Sequence, residues 1–410
     1  MADPRFVIIG AGPAGMRAAE VLRQQAPAAD ILLIGDEPHL PYDRPPLSKG
    51  FLTEGLEPQR LHLKPDSFYA EQRIRLKLGT PARAIDRAAK TVELADGERV
   101  PYDKLLLATG CRGRALPAHF TSVPILYLRS LADAERIRAA LKPGLEVVLI
   151  GGGFIGLEIA ASARKLGAEV TVLEMAPRLM SRAVPGVVSE AVRALHERHG
   201  VAFEFGARLN AIVRGADGRI LVETRAAAYP ADVVVAGIGA EPNTALAEAA
   251  GLVVEDGIRV DACGRTSDPD IFAAGDVTRH DNPLLGRAIR VESWQVALNQ
   301  AAAVAAAMVG TSAPYAELPW LWTDQYDCNI QALGLFDPVL EPMLRGDPAG
   351  PFTLLGVDGE GRIAAAITFN NGRDMAVLRR LAATRAALPR DVLADPERKL
   401  SDLLKLARSA

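Results

Sequence analysis

The sequence predicts an α/β protein with two doubly wound parallel-sheet halves, on two observations. The first is the stretch Arg5-Phe6-Val7-Ile8-Ile9-Gly10-Ala11-Gly12-Pro13-Ala14-Gly15, an apolar run that ends in Gly-x-Gly-x-x-Gly and leads into an Ala-rich amphipathic segment. The second is the return of that pattern downstream, in Val147-Val148-Leu149-Ile150-Gly151-Gly152-Gly153-Phe154-Ile155-Gly156. Strand, glycine turn and helix follow in the order a dinucleotide requires. The first glycine makes the turn, the second lets backbone approach a pyrophosphate, and the third lets helix pack on strand. Free N–H groups and the helix dipole then stabilise the phosphate charge at the helix N-terminus. One such motif is weak evidence. Two, each directly after a strand-like run, predict two bound dinucleotides and two Rossmann-like domains.

Composition agrees. A chain of 410 residues exceeds one ordinary core, and 49% hydrophobic with 24% charged residues describes a globular protein. The net charge of −3 gives no electrostatic reason to expect nucleic acid or an anionic membrane. Its longest apolar run, Ala301 to Val309, is too short for a membrane span. Met1-Ala2-Asp3-Pro4-Arg5 enters a strand almost at once, which predicts no signal peptide. Three cysteines, Cys111, Cys263 and Cys328, lie far apart, which fits a reducing cytoplasm better than a disulfide framework.

Along the first half, Ala14, Ala18, Val21 and Leu22 fall at helical spacing, Pro27 stops the helix, and Ile31-Leu32-Leu33-Ile34 reads as a second buried strand. A dinucleotide fold places an acid after this strand to hold ribose hydroxyls; that is Asp36 here, with Glu37 the alternative. Pro41, Pro45 and Pro46 then fix an extended path that can hold Arg44 and Lys49 in place. In the second half Val170-Thr171-Val172-Leu173 is a strand and Glu174 ends it. A carboxylate there accepts ribose hydroxyls and repels a 2′-phosphate, and Met175, Ala176 and Pro177 add no positive charge. NADH is therefore expected over NADPH, although Arg178 and Arg182 could reach a phosphate.

Beyond these features the chain resembles the ferredoxin reductases of bacterial oxygenase systems, FAD enzymes of the glutathione-reductase-like group. The resemblance rests on Leu40-Pro41-Tyr42-Asp43-Arg44-Pro45-Pro46-Leu47-Ser48-Lys49-Gly50, Leu105-Leu106-Leu107-Ala108-Thr109-Gly110 and Val233-Val234-Val235-Ala236-Gly237-Ile238-Gly239. It continues through Thr266-Ser267-Asp268-Pro269-Asp270-Ile271-Phe272-Ala273-Ala274-Gly275-Asp276, Pro319-Trp320-Leu321-Trp322-Thr323-Asp324-Gln325 and Asn370-Asn371-Gly372-Arg373-Asp374. Two positions depart from it: Val296 stands where relatives often carry Asn, and Ala82 where a larger Val often meets the adenine.

The resemblance implies a split FAD domain (1–112 and 241–317), an inserted NAD domain (113–240) and a C-terminal α/β domain (318–410) completing the flavin pocket. Arg112-Gly113-Arg114 and Ala240-Glu241-Pro242-Asn243 read as the linkers. It assigns FAD to Gly10, Gly12, Ala14, Gly15, Asp36 or Glu37, Arg44, Lys49, Ala82, Arg129, Gly275, Asp276, Glu292, Trp294 and Trp322. Asp276 is expected to open a helix after an apolar strand, and Trp320 is left to packing. It assigns NAD to Gly151, Gly153, Phe154, Ile155, Gly156, Glu174, Arg182, Gly237, Ile238 and Gly239. Lys49 and Glu158 are expected to pair at the flavin edge, near the atom that receives the hydride.

The implied reaction is hydride transfer from NADH to FAD, followed by one-electron steps to a [2Fe-2S] ferredoxin of Rieske or vertebrate type that serves an oxygenase. No cysteine lies between Glu37 and Gly50, so no redox disulfide is expected there. The six histidines form no metal-ligand cluster and are read as solvated surface residues. Arg290, Arg379 and Arg380 are candidates for a basic rim that meets an acidic ferredoxin. Two other readings share the scaffold. One is an NADH-sensing flavoprotein of the apoptosis-inducing-factor type; the other is a rubredoxin or monodehydroascorbate reductase.

Overall fold

The computed structural model describes residues 3–311 and 313–409. The chain forms two compact units, Met1–Arg44 with Glu57–Arg112 and Ala240–Pro319, and Pro45–Leu56 with Gly113–Gly239 and Trp320–Ala410.

In the first unit a five-stranded sheet runs in the order Ile271–Ala273, Lys104–Leu107, Arg5–Ile9, Asp30–Ile34 and Ile74–Lys77. All neighbours are parallel, with Val7 paired to Leu32 and Leu105. Parallel strands covered on both faces read as continuous apolar runs, as these do. The helix Pro13–Gln25 buries Ala14, Ala18, Val21 and Leu22 and ends ahead of Pro27. It shares one core with Ala297, Ala301, Val304 and Ala305 of the helix Trp294–Met308. The apolar Ala301–Val309 run is thus spent on a small-residue packing face. The expected linkers are extended strands, Cys111–Gly113 and Ala240–Pro242, which pair in a two-stranded ribbon.

The second unit holds a parallel sheet in the order Val201–Phe205, Glu169–Glu174, Glu146–Ile150 and Val233–Ala236. It also holds a five-stranded antiparallel sheet in the order Trp320–Gln325, Cys328–Leu333, Ile363–Phe369, Phe352–Val357 and Glu341–Gly346. Leu157, Leu179, Val188, Val192 and Leu195 share a core with Ile330, Leu354, Ile367 and Phe369, so the helical side of one sheet packs on the other. No helix among the described residues is long and apolar enough to cross a membrane.

Candidate functional site: two glycine cradles and a buried lysine–glutamate pair

The first glycine turn is shaped by backbone crowding. Gly10 has φ +117°, and a Cβ there would lie 2.1 Å from the carbonyl oxygen of Ala108. A Cβ on Gly15 would lie 1.9 Å from the carbonyl oxygen of Gly10, whereas one on Gly12 would meet nothing within 4 Å. Strand and helix therefore close on Gly10 and Gly15 and leave open space at Gly12. Gly12 is also the helix N-cap and, having no side chain, makes no cap hydrogen bond there. The terminal N–H groups are left to a ligand, the arrangement a pyrophosphate needs.

Around this turn, Asp36 is exposed, and its Oδ1 accepts from the Glu37 N–H at 3.1 Å. Glu37 is half-buried and accepts from Tyr42 Oη at 2.6 Å and Arg44 Nη2 at 2.8 Å. Ala82, half-buried, starts the strand Ala82–Asp86. Gly275 (φ +83°) brings backbone against Ala14, where a Cβ would stand 3.1 Å from that side chain. Asp276 does not open a helix, contrary to expectation. Thr278 N–H closes on Gly275 O at 2.9 Å, and the turn feeds the strand Thr278–Asn282. The helix of this region starts later, at Trp294, where the Ser293 hydroxyl accepts from Val296 N–H. Trp294 Nε1 donates to Asp43 Oδ1 at 2.7 Å, and Glu292 Oε1 accepts from Arg290 Nη1 at 2.6 Å. Arg290 also meets Asp256 at 3.0 Å and keeps 15% side-chain exposure, so its charge is already matched. As a member of a basic rim it is corrected.

The second cradle repeats the first. Gly151 has φ +103°, and a Cβ there would lie 2.5 Å from the carbonyl oxygen of Gly237, while Gly156 and Gly237 approach closely. Gly153 caps the helix Phe154–Lys165 with no side-chain bond, and Ile155 is exposed. Glu174 stands at the end of its strand with both oxygens turned to the loop. Oε2 accepts from Gly152 N–H and Oε1 from Ala176 N–H, each at 2.7 Å. Each oxygen keeps a lone pair for a ribose hydroxyl. Arg182 is exposed with Nη2 3.6 Å from where a Gly239 Cβ would stand, and Ile238 packs nearby against the core under this sheet. Arg178 instead donates to the carbonyls of Val184 (2.7 Å) and Ser181 (2.9 Å), which ties its own loop together.

Lys49 and Glu158 pair at 2.8 Å, with side-chain exposures of 21% and 4%. A short helical turn, Pro45–Ser48, and the helix Gly50–Thr53 present Lys49, and the helix Phe154–Lys165 presents Glu158. A buried carboxylate needs every lone pair answered. Here Oε2 accepts from Ser48 Oγ at 2.5 Å as well as from Lys49, and Oε1 accepts from Thr323 Oγ1 at 2.6 Å. Ser162 Oγ donates to Ser48 O at 2.7 Å and fixes the Ser48 backbone. Ser48 and Thr323 were missed by sequence reasoning. The signal for Thr323 was present: alternation in the strand Trp320–Gln325 puts Thr323 and Gln325 together on the buried face, two polar residues where apolar ones belong.

Lys49, Arg129 and Trp322 belong to the second unit, and the other FAD residues named from sequence belong to the first. The Arg129 N–H donates to Asp133 Oδ2 at 3.0 Å, beside the Ser130–Asp133 capping box. Trp322 stacks on Trp320 with ring centroids 5.1 Å apart, and the Arg379 guanidinium lies 5.3 Å from the Trp320 centroid. Trp320 is therefore half-exposed between a ring and a cation rather than simply core. Arg379 and Arg380 are both exposed.

The histidines need a second correction. His196 and His280 are 0% and 1% exposed, and burial pushes each ring down to about 4. His196 lies on the apolar face of its helix, beside Val192 and Leu195, where solvent cannot reach it. All three cysteines are buried, and no cluster that could hold a metal occurs among the described residues.

These features coincide with a family pattern. Residues 4–301 match the pyridine nucleotide-disulphide oxidoreductase model and residues 320–404 the reductase C-terminal model. The anthranilate 1,2-dioxygenase system ferredoxin–NAD(+) reductase component of Burkholderia cepacia is 52% identical, over 96% of this chain and 98% of that one. Putidaredoxin reductase of Pseudomonas putida is 36% identical, over 100% of this chain and 98% of that one. The crystal structure of a covalent putidaredoxin reductase–putidaredoxin complex superposes with a TM-score of 0.94 at 35% identity, covering 100% of both chains. With two glycine cradles, an acid after each second strand and matches along nearly its whole length, the chain belongs to the pyridine nucleotide-disulphide oxidoreductases that carry a reductase C-terminal domain.

Proposed function

We propose that this chain is an NADH-dependent FAD reductase, a ferredoxin–NAD(+) reductase, that passes electrons singly to a [2Fe-2S] ferredoxin serving an oxygenase. The observation that carries this is the Lys49–Glu158 pair, with Lys49 in a segment that has no cysteine from Glu37 to Gly50. A redox disulfide has no residues to form there, so electrons go from flavin to the acceptor protein directly. The names of the Burkholderia and Pseudomonas relatives agree. When bound, FAD supplies the change from two-electron to one-electron transfer.

The chain's own residues hold and orient. In the first unit, the uncapped N–H groups after Gly12 take the FAD pyrophosphate, Asp36 or Glu37 the adenosine ribose, and Asp276 the ribityl end. Arg44, Ala82, Glu292 and Trp294 complete this set. In the second unit, we assign Lys49 and Trp322 to the flavin ring, with Arg129 as a further contact. The turn Gly151–Gly156, Glu174, Arg182 and Gly237–Gly239 receive NADH. Glu158 holds Lys49 in place through their 2.8 Å ion pair. We assign FAD to residues 1–112 and 241–317, NAD to 113–240, and the third domain to 318–410. We assign a cytoplasmic location on the sequence, whose three cysteines are sparse, odd in number and far apart.

Anaerobic stopped-flow reduction tests this reading. NADH, and not NADPH, should bleach the flavin rapidly, and added oxidised [2Fe-2S] ferredoxin should be reduced promptly. Slow bleaching into a stable long-wavelength band with no onward transfer would point to a sensing protein instead.

A further inference from the structure

Behind Glu158 the second unit contains a line of buried polar side chains. We propose that Thr323, Gln325 and His196 are positioning residues, a hydrogen-bond chain of fixed direction that aims the Glu158 carboxylate at Lys49. The proposal deepens the role given above to Lys49 and Glu158 and rests on it.

The direction follows link by link. Thr323 has one hydroxyl proton, and the Glu158 Oε1 at 2.6 Å takes it. Thr323 Oγ1 must then accept from its other neighbour, and Gln325 Nε2 donates at 3.1 Å. That fixes the Gln325 amide with its carbonyl oxygen toward His196, 2.7 Å from Nε2. The ring must carry its proton on Nε2, which leaves Nδ1 an acceptor, and Tyr326 Oη stands 3.4 Å from it. Every link is satisfied with one proton each.

Reversal is prevented by burial. Thr323, Gln325 and His196 are each 0% exposed and Glu158 is 3% exposed, so no bulk water can mend a link with donor facing donor. A charged ring would have to donate from both nitrogens. Burial pushes His196 down to about 4 and keeps the neutral ring the chain requires. The far end is anchored as well. Tyr326 and Asp327 form the turn between Gln325 and Cys328, and Tyr326 has φ +58°, a left-handed conformation that a bulky residue seldom adopts. There its ring stacks on His199 at 3.6 Å and 10°, and meets the His196 edge at 5.1 Å. The antiparallel sheet of the C-terminal segment thereby fixes a carboxylate on the helix after the second glycine turn.

The test combines the ring tautomer with kinetics in the full-length flavoprotein. Histidine labelled with 15N should show His196 as the pure Nε2–H tautomer at neutral pH. Thr323→Val keeps shape and removes the acceptor for Gln325, so the amide can turn and a mixture with the Nδ1–H tautomer should appear. Flavin reduction by NADH should slow several-fold in this variant with KM for NADH unchanged, and Thr323→Ser should restore both readouts. A packing role would not move the tautomer of a ring two hydrogen bonds away. Should Thr323→Val fail to fold, Gln325→Met is read in the same way for reduction rate. An Nδ1–H or imidazolium ring in the unaltered protein would overturn the proposal. So would a foldable variant with the original tautomer and an unchanged rate. The ring signature is read whether or not NADH reduces the flavin, so failure of the functional reading shows separately.

Discussion

Replacing Lys49 with methionine leaves Glu158 buried without its cation, and the structure sets the size of the effect. At 2.8 Å and an effective dielectric constant of about 20, the gross attraction is about 6 kcal/mol. Desolvation offsets much of it, and breaking a buried pair costs about 3–5 kcal/mol. The Ser48 and Thr323 hydroxyls still donate to the carboxylate, and Lys49 is 21% exposed in the intact protein, so Lys49→Met should fall near the lower end, about 3 kcal/mol. In a Glu158→Gln background no charge is stranded, and the same substitution should cost only about 1 kcal/mol. The double-mutant cycle therefore predicts a coupling of about 2 kcal/mol. Urea unfolding followed by fluorescence of Trp320 and Trp322, which lie in the same unit as the pair, reads it. A coupling below about 0.5 kcal/mol, the size of an exposed pair, would refute the argument that burial makes this contact strong.

Further outcomes follow from the same geometry. Glu174→Ala removes the carboxylate that we assign to the ribose hydroxyls, so KM for NADH should rise about tenfold or more while that for NADPH does not, in parallel steady-state assays. Gly10→Ala puts a Cβ 2.1 Å from Ala108 O, and the purified protein should lack flavin absorbance. Acid should destabilise the fold through His196 and His280. Their folded values, about 4, lie below 6.5, so the unfolded chain binds more protons between those limits. Stability is then lost as pH falls through about 6.5 and levels off near 4, about 3 kcal/mol for each ring. Urea midpoints at pH 7 and 4.5 measure this, and His196→Asn should flatten the dependence. Arg379→Glu, on an exposed cation over Trp320, should slow reduction of an acidic ferredoxin at low salt and leave flavin reduction by NADH unchanged.

The sequence by itself determined the two glycine cradles, the parallel strands beneath them and the acids Asp36, Glu37 and Glu174. These depend on local order, since a strand, a tight turn and a helix are written in consecutive residues and their chemistry follows from spacing. It also placed Lys49 and Glu158 as partners, through resemblance rather than spacing. Tertiary structure decided what the chain order does not encode. Asp276 sits in a turn to a strand because Gly275 closes on Thr278, a backbone choice that the apolar run before it does not announce. His196 is buried and not solvated because an antiparallel strand and the turn after it, more than a hundred residues away, supply Gln325 and Tyr326 to its ring. Arg290 is matched rather than free because Asp256 and Glu292 converge on it. Ser48 and Thr323 reach Glu158 from two separate segments. Burial and the pairing of buried polar groups are properties of the assembled core, where each donor must find an acceptor without water's help. That requirement is met between distant residues, and only the tertiary structure shows how.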